Sequence, residues 1–214
     1  MGKLRFEISM SLDGFVAGQD QSLENPLGVG GMQLHQWVFR LAAWRAPHGL
    51  EGGEIDASTA VIEEAGAGIG ATIMGRNMFG GGSGPWGDEP WTGWWGDDPP
   101  FHMPVFVLTH HPRGPVALAG GTTFTFVTDG IEAALDQARL AASGQDVALA
   151  GGADVAQQYL AAGLIDEMDI HLVPVLLGQG ARLFDNLKDS KVGLEQVHAV
   201  EAPGVTHLKY RVIR

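Results

Sequence analysis

The stretch VALAGGADVAQQYLAAG, Val147 to Gly163, decides the fold. Its first four residues, Val147 to Ala150, are apolar and read as a short buried strand. They run directly into Gly151-Gly152. Asp154 to Ala162 then reads as a helix, closed by Gly163. Outward from this unit the same alternation continues in both directions. Downstream, Glu167 to Leu177 reads as a long strand broken by Pro174. The tail GLEQVHAVEAPGVTHLKYRVIR reads as two strands around Ala202-Pro203-Gly204-Val205, where Pro followed by Gly suits a type II turn.

Upstream, Ile131, Ala134, Leu135, Ala138 and Ala142 share one face of a helix over 131–142, with Asp129 as its expected cap and Gly144 as its stop. Short buried strands are expected at Phe124–Val127, Val105–Leu108 and Ala71–Met74. Thr59–Ala65 reads as a short helix. Met32–Trp44 reads as one longer helix, with Leu34, Trp37, Val38, Leu41 and Trp44 at helical spacing, ended by Pro47. Lys3–Leu12 alternates with period two, which makes it a strand with Leu4, Phe6, Ile8, Met10 and Leu12 on one side. Strands alternating with helices, then a hairpin, define an α/β class with a mixed sheet. No linker and no internal repeat interrupts residues 1–214, so one domain is expected. Residues 80–104 are irregular and rich in Gly, Pro and Trp (Trp86, Trp91, Trp94, Trp95). A loop that long is usually functional.

Composition excludes several classes. The chain has 25 Asp plus Glu against 13 Lys plus Arg, a formal charge of −12. That argues against nucleic acid, which needs a basic face, and against an anionic membrane surface. There is no cysteine, which removes disulfides, Cys-ligated zinc, iron–sulfur clusters and thiol catalysis. No secretory h-region opens the chain, and Phe6 breaks the myristoylation pattern. No apolar run reaches the ~18 residues of a membrane span. A cytoplasmic protein is expected. Glycine is the outlier, at 32 of 214 residues, about twice the usual frequency.

Motif tests remove more. Gly66-Ala-Gly-Ile-Gly-Ala71 has the letters of a dinucleotide fingerprint, but a helix precedes it and a strand follows. There is no GxxxxGK[ST] and no HExxH. His110 and His111 are adjacent and point opposite ways on a strand end, so no metal site is expected. What recurs is a strand, then small or basic residues, then a helix start. It occurs at Gly75-Arg76-Asn77, at Thr109-His110-His111-Pro112-Arg113 and at Gly151-Gly152-Ala153-Asp154. In open α/β sheets ligands sit beyond the carboxyl ends of parallel strands, and helix N-termini there attract phosphate. Arg76, His110, His111 and Arg113 are a local positive excess, so anion binding is expected.

Four segments carry a family resemblance: MSLDGFVA (Met10–Ala17), IMGR (Ile73–Arg76), AGGA (Ala150–Ala153) and VPVLLGQGAR (Val173–Arg182). In this order and register the chain resembles the dihydrofolate reductase superfamily. It is most similar to the reductase domain of the bacterial riboflavin deaminase-reductase and its small stand-alone relatives. No deaminase zinc motif accompanies it. The resemblance implies a three-layer fold with a central, mostly parallel mixed sheet, flanking helices and a C-terminal β-hairpin. It implies NADPH as cofactor and a homodimer.

By the same resemblance, Gly75, Arg76 and Asn77 open a phosphate-holding helix. Arg76, Thr109 and His110 surround the 2′-phosphate. Gly151 and Gly152 let the backbone approach the pyrophosphate, often through a cis bond in the family. The Ala153-Asp154-Val155 turn points its N-terminus there. Val16 and Ala17 offer backbone groups to the nicotinamide carboxamide. Hydride transfer to a C=N or C=O of a small substrate of pterin, pyrimidine or ribosylamino-pyrimidine class follows. Asp13 would orient substrate or relay a proton, given a raised pKa, or else cap the turn before Gly14.

One departure counts against folate. Dihydrofolate reductases carry a pterin-binding carboxylate on the first helix, and Met32–Ala46 contains neither Asp nor Glu. Trp37 and Gln33 are the substrate-side candidates there, beside Gln36. Glu63 and Glu64 are substitutes on the next helix. The Trp-rich loop would lid the substrate, form a dimer interface or cover the core edge. Two alternatives remain: an NADP-binding protein without turnover, and a 5-amino-6-(5-phosphoribosylamino)uracil reductase proper. The second needs a sugar-phosphate site, for which Arg182 and Lys188 are candidates.

Overall fold

The computed structural model describes residues 2–88, 91–187 and 192–213; Lys188 lies outside them. The strands are β1 (Leu4–Ser11), β2 (Phe15–Ala17), β3 (Ile69–Gly75), β4 (Pro104–Leu108), β5 (Val116–Ala117), β6 (Thr123–Val127), β7 (Asp146–Leu149), β8 (Glu167–Val173), β9 (Ala181–Arg182), β10 (Gly193–Ala202) and β11 (Val205–Ile213). The helices are α1 (Gln36–Phe39), α2 (Ala42–Arg45), α3 (Ala57–Gly66), α4 (Arg76–Phe79), α5 (Ile131–Ala141) and α6 (Ala153–Ala161).

The main sheet runs in the order β10-β11-β8-β1-β7-β3-β4-β6-β5. The six central strands, β8 to β6, are parallel. The hairpin β10–β11 is added antiparallel on β8, and β5 closes the other edge antiparallel on β6. A parallel sheet must be covered on both faces, because its crossovers place other elements there. Leu4 and Phe6 of β1, Ala71 and Ile73 of β3 and Phe106 of β4 face α5 and α6 in one core layer. Met74, Val105, Val107 and Phe124 face the other way, under Phe79, Trp86, Trp95 and Phe101. Leu34, Trp37, Val38 and Leu41 cover the sheet end near β8 and β11. The Trp-rich loop thus covers the core, and Gly204 takes φ 75° in the hairpin turn, as Pro-Gly anticipates.

Two expectations need correction. Met32–Trp44 is not one helix. A 3-10 turn over Gly31–His35 leads to α1, Leu41 is extended (φ −76°, ψ 137°), and α2 follows. The break lets another segment in: Ala42 N–H donates to Glu54 O at 2.9 Å, and Glu54 N–H donates to Arg40 O at 2.8 Å. Arg40 also pairs with Glu54 and Asp56. Leu34, Trp37, Val38 and Leu41 are still all buried, so the apolar spacing survived while the backbone did not. The second correction concerns α5. Its N-cap is Gly130, at φ 92°, with no side-chain cap, so Asp129 does not serve.

Candidate functional site

Parallel order aligns the carboxyl ends of β3, β4, β6 and β7 along one edge of the sheet. A cleft of about 620 Å³ opens there. Its floor holds Ile8 of β1, Gly75, Thr109, Thr128 and Ala150. At ~4.8 Å per strand, the span from β1 to β6 is roughly 19 Å, long enough for an extended dinucleotide. Of the expected cofactor residues, Val16, Ala17, Gly75, Arg76, Asn77, Thr109, His110, Gly151, Gly152, Ala153, Asp154 and Val155 all line this one cleft.

The details suit a phosphate-bearing ligand. The Gly151–Gly152 peptide bond is cis, and Gly151 has φ 115°. A side chain at 152 would meet no atom of the protein within 4 Å, so it would project into open cleft. Helices α5 and α6 both start at this edge from glycine N-caps without a capping side chain. Their first N–H groups lack intrahelical partners. Arg76 is 8% exposed. Its guanidinium donates to Gly82 O at 2.7 Å and Gly81 O at 3.0 Å and lies 3.0 Å from the Trp86 ring centroid. Its Nη1 is buried without a partner. Burial and, after it, Arg113 pull its pKa down to about 10, so it stays charged at neutral pH. The remaining positive excess is less concentrated than expected. Among the described residues, His111 and Arg113 do not line the cleft. Arg113 sits 4.7 Å from the Trp86 centroid and donates to Trp91 O.

Five other expectations move. Asp13 is absent from the cleft lining. It accepts from Ser11 Oγ at 2.6 Å and from the N–H groups of Leu177 and Gly178. The Ser11 hydrogen bond and these backbone donors outweigh desolvation and hold its pKa at about 2. The raised pKa that proton relay requires is therefore not met, and Asp13 ties two loops together. Gln33 is exposed, with its amide on Gly30 O at 3.3 Å.

Trp37 is 4% exposed and sits in a buried polar chain away from the cleft. Its indole N–H donates to Ser9 Oγ at 3.1 Å, and its ring meets His171 and His207 edge-on. Glu64, offered as a substitute acid, pairs with Lys209 at 2.6 Å instead. Arg182 also stays out of the cleft, beside Phe15 and Asp185.

Residues the sequence reading missed include His35, Thr128, Gly130 and Ile131, all of which line the cleft, as do Trp94 and Trp95 of the loop offered as a lid. Gly130 was findable. Strand, glycine, helix at Val127–Gly130–Ile131 repeats the layout recognised at Ala150–Gly152–Ala153. His35 carried no such signal, because the helix expected there breaks up. Among the described residues no cluster of His, Cys, Asp or Glu could hold a metal ion.

The order of the sheet, the carboxyl-edge cleft and the hairpin define a dihydrofolate reductase-like α/β fold. Within that class, residues 2–208 match the RibD C-terminal domain, and the chain belongs to that family. No curated protein matches the chain. Among solved structures it is similar to a protein assigned to riboflavin biosynthesis from Shewanella sp. PV-4, at 21% identity and TM-score 0.61 over 100% of both chains. It is similar to RibD from Acinetobacter baumannii at 18% identity and TM-score 0.59, covering 100% of this chain but 59% of that one. Dihydrofolate reductase from Enterococcus faecalis, complexed with NADP(H) and RAB-propyl, is similar at 14% identity and TM-score 0.53, over 100% of this chain and 98% of that one.

Proposed function

We propose that this chain is an NADPH-dependent reductase of a small pterin- or pyrimidine-type substrate, with hydride delivered to a C=N or C=O. One observation carries the reading. Two uncapped helix N-termini and an open Gly-Gly cradle converge on a single cleft that Arg76 also lines. The residues fit the cofactor: N–H groups of α5 and α6 for phosphate, the charge of Arg76 for the extra 2′-phosphate, and the backbone of Val16 and Ala17 for the carboxamide. NADPH supplies the hydride when bound. The chain supplies position and dryness. Ile8, Leu108, Trp94 and Trp95 wall the cleft with apolar surface, which excludes water and strengthens the polar contacts made inside it. A homodimer paired through the exposed edge strand β10 belongs to the same proposal, and sedimentation tests it.

A second reading, cofactor binding without turnover, is favoured by Asp13, whose lowered pKa leaves it no role as proton donor. A riboflavin-pathway reductase proper is less well supported, because Arg182 lies outside the cleft. The test is calorimetric titration with NADPH and NADH, on wild type and Arg76→Gln. Loss of a charged phosphate contact costs about 1.5–3 kcal/mol, so NADPH should weaken roughly 10- to 100-fold and NADH little. Failure of wild type to bind either nucleotide refutes both readings. Turnover with added substrates separates them.

A further inference from the structure

A second cavity, of about 260 Å³, lies on the face of the sheet turned away from α5 and α6. Alternation along β1 sends Phe6 into the α5–α6 core and Glu7 to this other side. In parallel register Glu7 stands beside Asp169 of β8, and Ala148 of β7 stands beside Thr72 of β3. Alanine at 148 and 150 leaves room above the strands. Ala65 of α3, Ile69 of β3 and Phe101 supply apolar walls. Ala150 is the one described residue that lines both this cavity and the cleft.

The cations near this cavity are engaged elsewhere. Lys3 pairs with Glu167, and Lys209 pairs with Glu64 at 2.6 Å. Arg5 donates from Nη1 to Ala67 O at 3.0 Å and from Nη2 to Glu64 O at 2.8 Å, faces Asp146 at 3.7 Å, and has its Nε closed off from solvent. Glu7 and Asp169 are left over. One Glu7 oxygen accepts from His171 at 2.7 Å. Asp169 is 8% exposed, and no donor among the described residues hydrogen-bonds to its carboxylate; Lys209 Nζ stands 3.9 Å away. Burial raises its pKa, Lys209 opposes this, and Glu7 adds to the rise. The Thr72 hydroxyl is buried too, and its partner is Met103 Sδ at 3.5 Å, so its oxygen lone pairs are unused. A buried carboxylate without a hydrogen bond is costly.

We propose that this cavity binds a small organic cation, an alkylammonium whose N–H groups reach Asp169 and Glu7. The proposal stands apart from the reductase reading of the cleft. Carboxylates on adjacent strands, about 4.8 Å apart, are close enough to share one positive charge. An ammonium group has three donors and no acceptor, which matches Asp169, the second Glu7 oxygen and Thr72, all of them acceptors here. The apolar walls suit the hydrocarbon body, and the Phe101 ring suits a cation beside it. A metal ion fits less well. Among the described residues no group of three or more His, Asp or Glu could hold one.

The test uses three probes with similar bodies: butylammonium, butanol and butyrate. Each is titrated calorimetrically into the whole chain at pH 8. Physiological ionic strength screens the general attraction of a chain of charge −12 for cations. Wild type should bind butylammonium at least ten-fold more tightly than butanol, and butyrate not at all. Asp169→Asn and Glu7→Gln should each weaken butylammonium at least ten-fold. Asp136→Asn, which removes an exposed acid on α5 across the sheet, should change nothing. In wild type, butylammonium should also shift the methyl ¹³C resonances of Ala65 and Ala148, which a cation held loosely at the surface would not do.

Thermal unfolding reports whether the variants fold. Should Asp169→Asn and Glu7→Gln not fold, the wild-type order and the methyl shifts decide. Butanol binding as tightly as butylammonium, no binding of butylammonium, an equal loss in Asp136→Asn, or binding with unmoved Ala65 and Ala148 resonances overturns the proposal. Absence of NADPH binding with the ammonium order intact defeats the reductase reading alone.

Discussion

Acid should unfold this protein partly through one buried histidine, and the hydrogen-bond chain around it sets the size of the effect. His171 Nε2 lies 2.7 Å from Glu7 Oε1, His171 Nδ1 lies 2.8 Å from His207 Nδ1, and His207 Nε2 lies 3.0 Å from Ser58 Oγ. The carboxylate can only accept, so His171 donates from Nε2 and keeps a lone pair on Nδ1. His207 then donates from Nδ1 and accepts from the Ser58 hydroxyl. Each contact is then satisfied once. Burial, and secondarily His171, lower the His207 pKa from 6.5 to about 4. The unfolded chain therefore takes up this proton first. Stability is whole above pH 6.5 and drains as pH falls towards 4. The full depression is worth about 3 kcal/mol, of which about 2.5 kcal/mol is gone by pH 4.5. His207→Gln keeps a donor and an acceptor but removes the titration. Urea unfolding at pH 7.5, 6.5, 5.5 and 4.5 should show wild type losing about 2 kcal/mol more than the variant across the range. His35, also lowered, and Asp169, raised by burial, titrate in both proteins and cancel in the difference. Parallel pH profiles, within about 0.5 kcal/mol, would refute the assigned chain of donors.

Three further perturbations read other parts of the structure. A Cβ at Gly75 would lie 2.7 Å from Val155 Cγ2, so Gly75→Ala should cost about 1–3 kcal/mol. Combining it with Val155→Ala should recover part of that, read as a coupling energy in a denaturation cycle. The guanidiniums of Arg76 and Arg113 both lie over the Trp86 ring, and Trp86→Ala should lower stability by about 3 kcal/mol through lost burial and cation–π contact; an unchanged urea midpoint would contradict this. Asp13→Ala should speed amide exchange at Leu177 and Gly178, which lose their acceptor, and leave exchange in α5 as it was.

The sheet was legible because its signals are local. Period-two alternation in β1, the Gly-Gly loop before α6 and the Pro-Gly turn of the hairpin each depend on residues within a few positions. That Gly75, Arg76, Gly151 and Gly152 share one cleft was legible for the same reason, since strand, glycine and helix start are contiguous in sequence. The surroundings of Trp37 and Asp13 were not. Trp37 has the spacing of a cleft residue, but its indole N–H finds Ser9 two strand positions before Ser11, on the face of β1 away from Ile8. Asp13 has the position of a proton donor, but three hydrogen-bond donors, two of them more than 160 residues away, convert it to a loop tie. No local pattern records either event.

The broken helix explains why the two halves differ. A continuous helix over 32–44 would present one face to one layer. The observed chain has two clients. Its 3-10 turn delivers His35 to the cleft, on the side of Ile8. Two residues later Trp37 covers the His171–His207 chain on the side of Glu7 and Ser9. Neighbouring turns of one short segment thus serve opposite faces of β1. Extension at Leu41 then returns the chain to pair with Glu54 before α2 starts. The segment cannot be optimised for helical regularity and for both layers at once. The residues that serve both layers are therefore those whose local backbone is least regular, and so least visible in the sequence.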